Sequence, residues 1–521
     1  MVDYHVPDKF NIASFLLDRH IKEGRGGKVA VYYEDRTFTY GELSEMADKL
    51  GNSLRDLGVE QENRVIICLP DCPEFLAGYF GTMKIGAVPV PVSTMALPAD
   101  YLYYLNDSRA KVLIVTARLA PVIDELRDRL DYLKHVIVVG PYDRHLSFET
   151  LLQTVSPSLE AVATSRDDMA FWLYSSGTTG TPKGVVHLHH DLLHFMPPHC
   201  NQVVALTQDD IVFSTSKLFF SYGRNNSLDS TFLHGASVVL NPSLSTPDKI
   251  FAVIEKYRPT LFYSVPSSYW AMLNYLEQNS CLFDLSSIRF CVSAGEALPP
   301  VIFERWKGKF GLEILDGIGS TDVGAIYLSN RPGQVKPGSS GKLLSGFEGK
   351  LLDDEGCIVP QGEIGTMWIN NDGCTAGYWN KHEKTRTSLN GVWFNTGDQF
   401  SQDEDGYFWY AGRIDDMLKP GGLWLSPLEI ENLLLEHPGV QEVAVVGVQN
   451  EPGLEKPVAF VVLREGFPPA ESMEQQIQEF VRARVAGYKC PRKVLFVAEL
   501  PRTASGKVQR FRLRDVLRTD V

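Results

Sequence analysis

Tyr174-Ser175-Ser176-Gly177-Thr178-Thr179-Gly180-Thr181-Pro182-Lys183-Gly184-Val185-Val186-His187 decides how the rest of the chain is read. The apolar run Phe171-Trp172-Leu173-Tyr174 has the length of a buried strand, and Val185-Val186-His187 reads as the strand that returns. Between them, glycines let backbone N–H groups approach a ligand closely. The hydroxyls of Ser175, Ser176, Thr178 and Thr179, with the Lys183 ammonium, add donors and charge suited to phosphate oxygens. Most Gly/Ser/Thr-rich turns are plain surface hairpins, and local chemistry alone leaves that reading open. A P-loop is excluded, because Lys183 follows Pro182 and precedes Gly184 where a P-loop needs Gly-Lys-Ser/Thr.

A chain of 521 residues is too long for one ordinary core, so two or more domains are expected. With 22% charged and 44% apolar residues, the composition is that of a globular protein. The net charge of −14 argues against nucleic acid as the main partner, since phosphate backbones need clustered Lys and Arg. The eight cysteines (Cys68, Cys72, Cys200, Cys281, Cys291, Cys357, Cys374 and Cys490) form no CxxC pair and read as reduced, mostly buried thiols. No basic stretch followed by an apolar one opens the sequence, and apolar runs such as Val443–Val448 are only strand-length. The ending Arg518-Thr519-Asp520-Val521 is neither a peroxisomal address nor a prenylation site. A cytoplasmic protein without membrane contact is expected, and a homodimer is left open.

Residues 29–59 read as a short hairpin and a helix with the stripe Leu43, Met46, Ala47, Leu50, Leu54 and Leu57. Strands at Arg64–Leu69, Ala87–Val90, Val112–Val115 and His135–Val139 then alternate with helices at Pro73–Lys84, Ala99–Asn106 and Pro121–Leu130. The rhythm resumes after the Gly/Thr-rich turn at 175–184, with strands near Ile211–Ser214, Ser237–Leu240, Leu261–Val265 and Phe290–Ser293. Such alternation predicts parallel sheets covered by helices. From about 331 to 412, short β runs and Gly-rich turns predict a small β subdomain or barrel. Beyond Arg413-Ile414-Asp415-Asp416 the pattern becomes a compact α+β module of about a hundred residues.

The signature loop resembles that of the adenylate-forming superfamily, which contains acyl- and aryl-CoA ligases, luciferases and peptide-synthetase adenylation domains. The resemblance implies an α/β fold: a large N-terminal domain of parallel α/β sheets (about 1–330) plus a small β-barrel subdomain (about 331–412). A hinge at 413–416 and a mobile α+β C-terminal domain at 417–521 would follow. It implies that Ser175, Ser176, Gly177, Thr178, Thr179 and Gly180 hold the nucleotide phosphates, with Thr178 and Lys183 taking part in catalysis.

Further motifs extend the likeness. Ser293-Ala294-Gly295-Glu296-Ala297-Leu298-Pro299 would set Gly295, Glu296 and Ala297 against the adenine, although Glu296 reads equally as a helix cap. Asp316-Gly317-Ile318-Gly319-Ser320-Thr321-Asp322 would place Asp316, Gly317, Ile318, Gly319 and Thr321 on the nucleotide. Its Asp322 stands where the family has Glu, as a Mg²⁺ ligand, direct or through water; read alone it is more often an N-cap. Asp398, in Thr396-Gly397-Asp398 at the end of a strand, would accept from both ribose hydroxyls, and Arg413 would contact the ribose or α-phosphate. Asp415 would be the residue whose torsions swing the C-terminal module. Lys419, Gly421, Gly422 and Trp424 would face the coenzyme A arm, with a Pro-Gly turn as the plain alternative. Lys507, in Pro501-Arg502-Thr503-Ala504-Ser505-Gly506-Lys507, matches the family's catalytic lysine.

Lys217-Leu218-Phe219-Phe220-Ser221-Tyr222-Gly223 and Phe262-Tyr263-Ser264-Val265-Pro266 resemble the benzoate-CoA ligase branch, from about residue 8 to the end. The resemblance implies a flat aryl pocket lined by Phe220, Ser221, Tyr222, Gly223, Gly319, Ala325 and Ile326. Benzoate ligases commonly carry His at the Ala325 position and Ala at the Ser221 position. Arg224-Asn225-Asn226 likewise stands in place of a more apolar stretch. The implied substrates are ATP, coenzyme A and benzoate or an amino- or hydroxybenzoate, with Mg²⁺. A peptide-synthetase adenylation domain fits less well, because Phe219-Phe220-Ser221 offers no acidic residue for an α-amino group. A silent AMP-binding sensor is the reading from a different class.

Overall fold

The computed structural model describes residues 5–175, 181–243, 245–279, 281–418, 425–451, 454–485, 487–502 and 508–519. Two sheets dominate the chain as far as Leu343. One runs Val88–Pro91, Arg64–Cys68, Val112–Thr116, His135–Val139 and Leu146–Ser147, all parallel. The other has nine strands, ordered Lys342–Leu343, Ile326–Ser329, Ile314–Gly319, Phe290–Ser293, Leu261–Ser264, Ile211–Ser214, Ser237–Leu240, Val29–Tyr33 and Arg36–Thr39. The six from Ile314–Gly319 to Val29–Tyr33 are parallel, and antiparallel strands close both ends. Near-continuous apolar strands such as Val112–Thr116 are what a parallel sheet with both faces covered requires. Helices Tyr40–Asp56 and Pro73–Lys84 pack on each other, the first opened by a Thr39–Glu42 capping box. Three hydrophobic clusters fill these layers, the largest between the two sheets' inner faces and one on the far face of each sheet.

The signature strands form a separate antiparallel hairpin, Met169–Ser175 against Lys183–Leu188. Residues 348–413 contain a five-stranded antiparallel sheet built from Glu348–Leu352, Gly365–Asn370, Leu389–Asn390, Trp393–Gln402 and Phe408–Arg413. Two short strands of the 331–412 stretch pair elsewhere. Lys342–Leu343 joins the nine-stranded sheet, and Gly377–Tyr378 pairs with Val185 and Val186 of the hairpin. Thr396-Gly397-Asp398 lies inside the strand Trp393–Gln402 rather than at its end. Gly397 has φ +71°, a left-handed kink that glycine adopts without penalty, so the strand continues through it.

After Arg413 the chain builds a three-stranded sheet of Val440–Glu451, Leu454–Leu463 and Lys493–Phe496, flanked by helices Pro427–Leu435, Glu471–Arg482 and Arg510–Thr519. Alternation along the first strand sends Val445 to one core with Ile430, Leu434 and Ile477. It sends Ala444 and Val446 to another with Phe460 and Leu513. This module touches the preceding part of the chain at Trp270, on helix Pro266–Asn279. The Trp270 ring carries the Arg305 guanidinium 4.6 Å from its centroid and that of Arg464 at 5.2 Å. Among the described residues, no helix is long and apolar enough to cross a membrane.

Candidate active site

Parallel pairing puts the carboxyl ends of the central strands side by side, the usual place for a ligand in an open α/β sheet. Ser293 pairs with Asp316, so the loop holding Gly295, Glu296 and Ala297 leaves the sheet beside Asp316-Gly317-Ile318-Gly319. Glu296 is not the cap of the next helix, whose N-cap position is Pro299. Asp316 is buried; its Oδ2 meets the Leu298 N–H at 3.5 Å and its Oδ1 has no hydrogen-bond partner among the described residues. Burial pushes its carboxyl up to about 8.

The helix Ser221–Arg224 begins beyond the strand Ile211–Ser214 and carries Ser221, Tyr222 and Gly223 to the same edge, just after Phe220. The Tyr222 hydroxyl donates to Val292 O at 3.3 Å. Gly319 pairs with Ile326, and Ala325 and Ile326 are buried. The expected aryl-pocket residues are therefore gathered at the sheet edge beside the expected adenine loop.

Lys183, at the start of the returning hairpin strand, reaches Asp322. Its Nζ lies 3.0 Å from Asp322 Oδ1 and 3.9 Å from the centroid of the Tyr378 ring. The Tyr378 hydroxyl donates to the same Asp322 oxygen at 2.6 Å. Burial would raise the Asp322 carboxyl, but Lys183 and the Tyr378 hydroxyl outweigh it and hold the group below the usual carboxylate range. Burial lowers the Lys183 ammonium, with Asp322 opposing it. Asp322 lies in a turn and caps no helix. His187, further along the same strand, has Asp191 Oδ2 2.9 Å from Nδ1 and Thr321 O 2.8 Å from Nε2, so it ties the Thr321 carbonyl from beneath.

Asp398 is buried and accepts from Arg413 Nη1 at 3.0 Å. Its charge lifts the guanidinium above the ordinary arginine value, and the Arg413 charge in turn reaches Asp322 and Lys183. The expected ribose pair and the Lys183–Asp322–Tyr378 cluster thus share one electrostatic neighbourhood. Asp415 lies in the loop after the strand Phe408–Arg413. Its carbonyl accepts from Arg514 Nη2 at 3.3 Å, while Arg514 also pairs with Asp416 at 2.5 Å.

Ser175 ends its strand with a buried hydroxyl that has no partner among the described residues. Ser176, Gly177, Thr178, Thr179 and Gly180 lie outside the described residues, as do Lys419, Gly421, Gly422, Trp424 and Lys507. Tyr378 and His187 escaped a reading by motif. The only signal for Tyr378 was the aromatic pair Tyr378-Trp379 after a glycine in a β-rich stretch.

Residues 17–379 match the family model of the AMP-binding enzyme, and residues 429–507 that of the AMP-binding enzyme C-terminal domain. The chain belongs to the AMP-binding enzyme family. Among relatives of this AMP-binding enzyme, a benzoate–CoA ligase of Thauera aromatica is 40% identical over 513 residues, covering 98% of this chain and 96% of that protein. An anthranilate CoA ligase solved in complex with anthranoyl-AMP superposes with a TM-score of 0.94 at 40% identity, over 99% of this chain and 98% of that one. A benzoate CoA ligase from Burkholderia xenovorans LB400 gives 0.89 at 40% identity, over 97% and 100%.

The donor set suits Mg²⁺ in one specific way. No group of three or more His, Cys, Asp or Glu side chains among the described residues forms a cage. Asp322 offers one carboxylate whose Oδ1 is committed to Lys183 and Tyr378, while its Oδ2 has no partner among the described residues. A hard cation that keeps most of its waters and takes the rest of its ligands from phosphate oxygens matches a single carboxylate; a cage-bound transition metal does not.

Proposed function

We propose that this AMP-binding enzyme activates benzoate or a small ring-substituted benzoate with ATP and transfers the acyl group to coenzyme A, giving the aryl thioester, AMP and pyrophosphate. The observation that carries the reading is the convergence at one sheet edge of two arrangements. One is the Lys183–Asp322–Tyr378 cluster beside the Asp398–Arg413 pair; the other is the gathering of Tyr222 with the buried Ala325 and Ile326. Support comes also from relatives that act on benzoate and from a structural neighbour that holds anthranoyl-AMP.

A carboxylate resists thiol attack because oxide is a poor leaving group. In the first step a carboxylate oxygen bonds to the α-phosphorus of ATP and the bond to pyrophosphate breaks. Lys183, the Thr178–Thr179 loop and Lys507 neutralise charge on the phosphate oxygens, an electrostatic rather than covalent contribution. Asp398 and Arg413 hold the ribose side. Asp322 would hold Mg²⁺, directly or through water, and that ion would add further charge neutralisation. In the second step the thiol sulfur bonds to the acyl carbon and the carbon–oxygen bond to AMP breaks. A swing of the module beyond Asp415 would exchange Lys507 for the 419–424 face between the steps. The reading places the enzyme in the cytoplasm and is compatible with a homodimer.

The test is ATP-dependent pyrophosphate release and thioester formation across benzoate, its amino- and hydroxy-derivatives, and aliphatic acids. Turnover of the aromatic set is expected. Exclusive use of aliphatic acids would reject the pocket argument.

A further inference from the structure

The turn 320–325 joins strands Ile314–Gly319 and Ile326–Ser329. It carries Asp322 in its middle and delivers Ala325 and Ile326 to the pocket wall. At Gly324 it cannot be shaped by a side chain of its own: φ is +96°, and a Cβ there would sit 2.2 Å from the Phe195 ring. The Gly324 carbonyl is instead gripped from the neighbouring helical segment, where Asn225 Nδ2 donates to it at 2.5 Å.

The amide that does the gripping is itself oriented. Arg224 Nη2 donates to Asn225 Oδ1 at 2.8 Å, which turns the amide nitrogen toward Gly324. Arg224 Nε pairs with Asp229 Oδ2 at 2.9 Å, and its guanidinium lies 3.9 Å from the Phe171 ring centroid. Arg224 and Asp229 are both fully buried, each with one polar atom unpartnered among the described residues. A buried ion pair with incomplete hydrogen bonding is a poor source of stability compared with apolar packing. Its cost is explained if the pair fixes geometry.

We infer that Asn225, oriented by the Arg224–Asp229 pair, is a specificity-determining positioning residue. It fixes the Gly324 carbonyl and so sets where Ala325 and Ile326 stand against the ring of the acid. The inference rests on the aryl-acid reading above. Asn225 touches the turn, not the substrate, and acts through the two wall residues that follow Gly324.

The test compares the full-length chain with Asn225→Ala and with the double variant Arg224→Leu/Asp229→Leu, which removes the seat of the amide but keeps the amide. Pyrophosphate release is followed for benzoate and its ortho-, meta- and para-amino and hydroxy derivatives, with circular dichroism as the check on folding. For Asn225→Ala, KM for the preferred acid should rise about 10-fold, the size expected for one lost hydrogen bond to a buried carbonyl. The ranking of ring positions should change, while KM for ATP stays within about two-fold. The double variant should move the ranking in the same direction. A uniform loss on every acid, or an unchanged ranking in either folded variant, would overturn the inference by reducing Asn225 to a structural residue. If the unaltered chain turned over no aromatic acid, the aryl reading itself would fall and this inference with it.

Discussion

Replacing Tyr378 by Phe removes one oxygen and leaves the ring under Lys183, so its effect isolates a single hydrogen bond. That bond is 2.6 Å long and ends on a buried carboxylate oxygen already 3.0 Å from an ammonium. Hydrogen bonds to charged groups contribute about 1.5–3 kcal/mol, and a buried acceptor stays in the upper part of its range. Lys183 remains to satisfy the oxygen, so about 1.5–2 kcal/mol is the expected cost, which corresponds to about a 10- to 30-fold loss in kcat/KM for adenylation. The acid limb gives a second readout. Tyr378 helps hold the Asp322 carboxyl below its ordinary range, so its removal raises that value. Activity that requires the ionised carboxylate should then be lost at a higher pH as the solution is acidified. The same sign holds for stability: the depressed carboxyl stabilises the fold above the unfolded-state value, and this contribution is lost as pH falls. Pyrophosphate release measured against pH and Mg²⁺ reads the first half-reaction. Thioester formation from supplied aryl-AMP reads the second and should be spared. An unmoved acid limb, or equal losses in both half-reactions, would refute the assignment of Asp322 to the phosphate step.

Two further predictions test other parts of the site. Burial pushes the Asp316 carboxyl up to about 8, above its unfolded value, so its contribution to stability is full below about pH 4 and is lost as pH rises toward about 8. Asp316→Asn, neutral at every pH, should gain on the unaltered chain in urea denaturation between about pH 5 and about pH 9, by at most about 5 kcal/mol. A difference independent of pH would contradict this. Lys507→Ala should abolish adenylation yet spare thioester formation from supplied aryl-AMP, and Asp415→Pro should do the converse, because proline fixes the φ that a hinge must change. Equal damage to both half-reactions by both variants would exclude two working conformations.

Much of the fold was legible because its signals are local. The alternation from Arg64 to Val139 repeats a strand-and-helix period that needs no tertiary knowledge, and the hairpin at Met169–Leu188 announces itself by two apolar runs around a Gly/Thr turn. What escaped depends on distant partners. Gly377–Tyr378 is a strand only because Val185 and Val186 pair with it, and two residues carry no period of their own. Thr396-Gly397-Asp398 looked like the end of a strand because Gly usually ends one, yet its left-handed φ lets the ladder run on toward Gln402. In the site, residues fixed by motif were visible, as Lys183 and Asp322 were. Those that act on backbone carbonyls were not. His187 on Thr321 and Asn225 on Gly324 grip atoms that every residue possesses, so nothing in the gripped sequence advertises them.

The indole of Trp270 bears one guanidinium from its own domain and one lent by the C-terminal module. Like charges parked on a single ring push each other apart, and the Arg305 charge adds to burial in depressing the basicity of Arg464. The Glu277 carboxylate, paired with Arg305, offsets that repulsion only in part, so the contact holds the module lightly. The swing of the module proposed above would gain from a fastening that yields this easily.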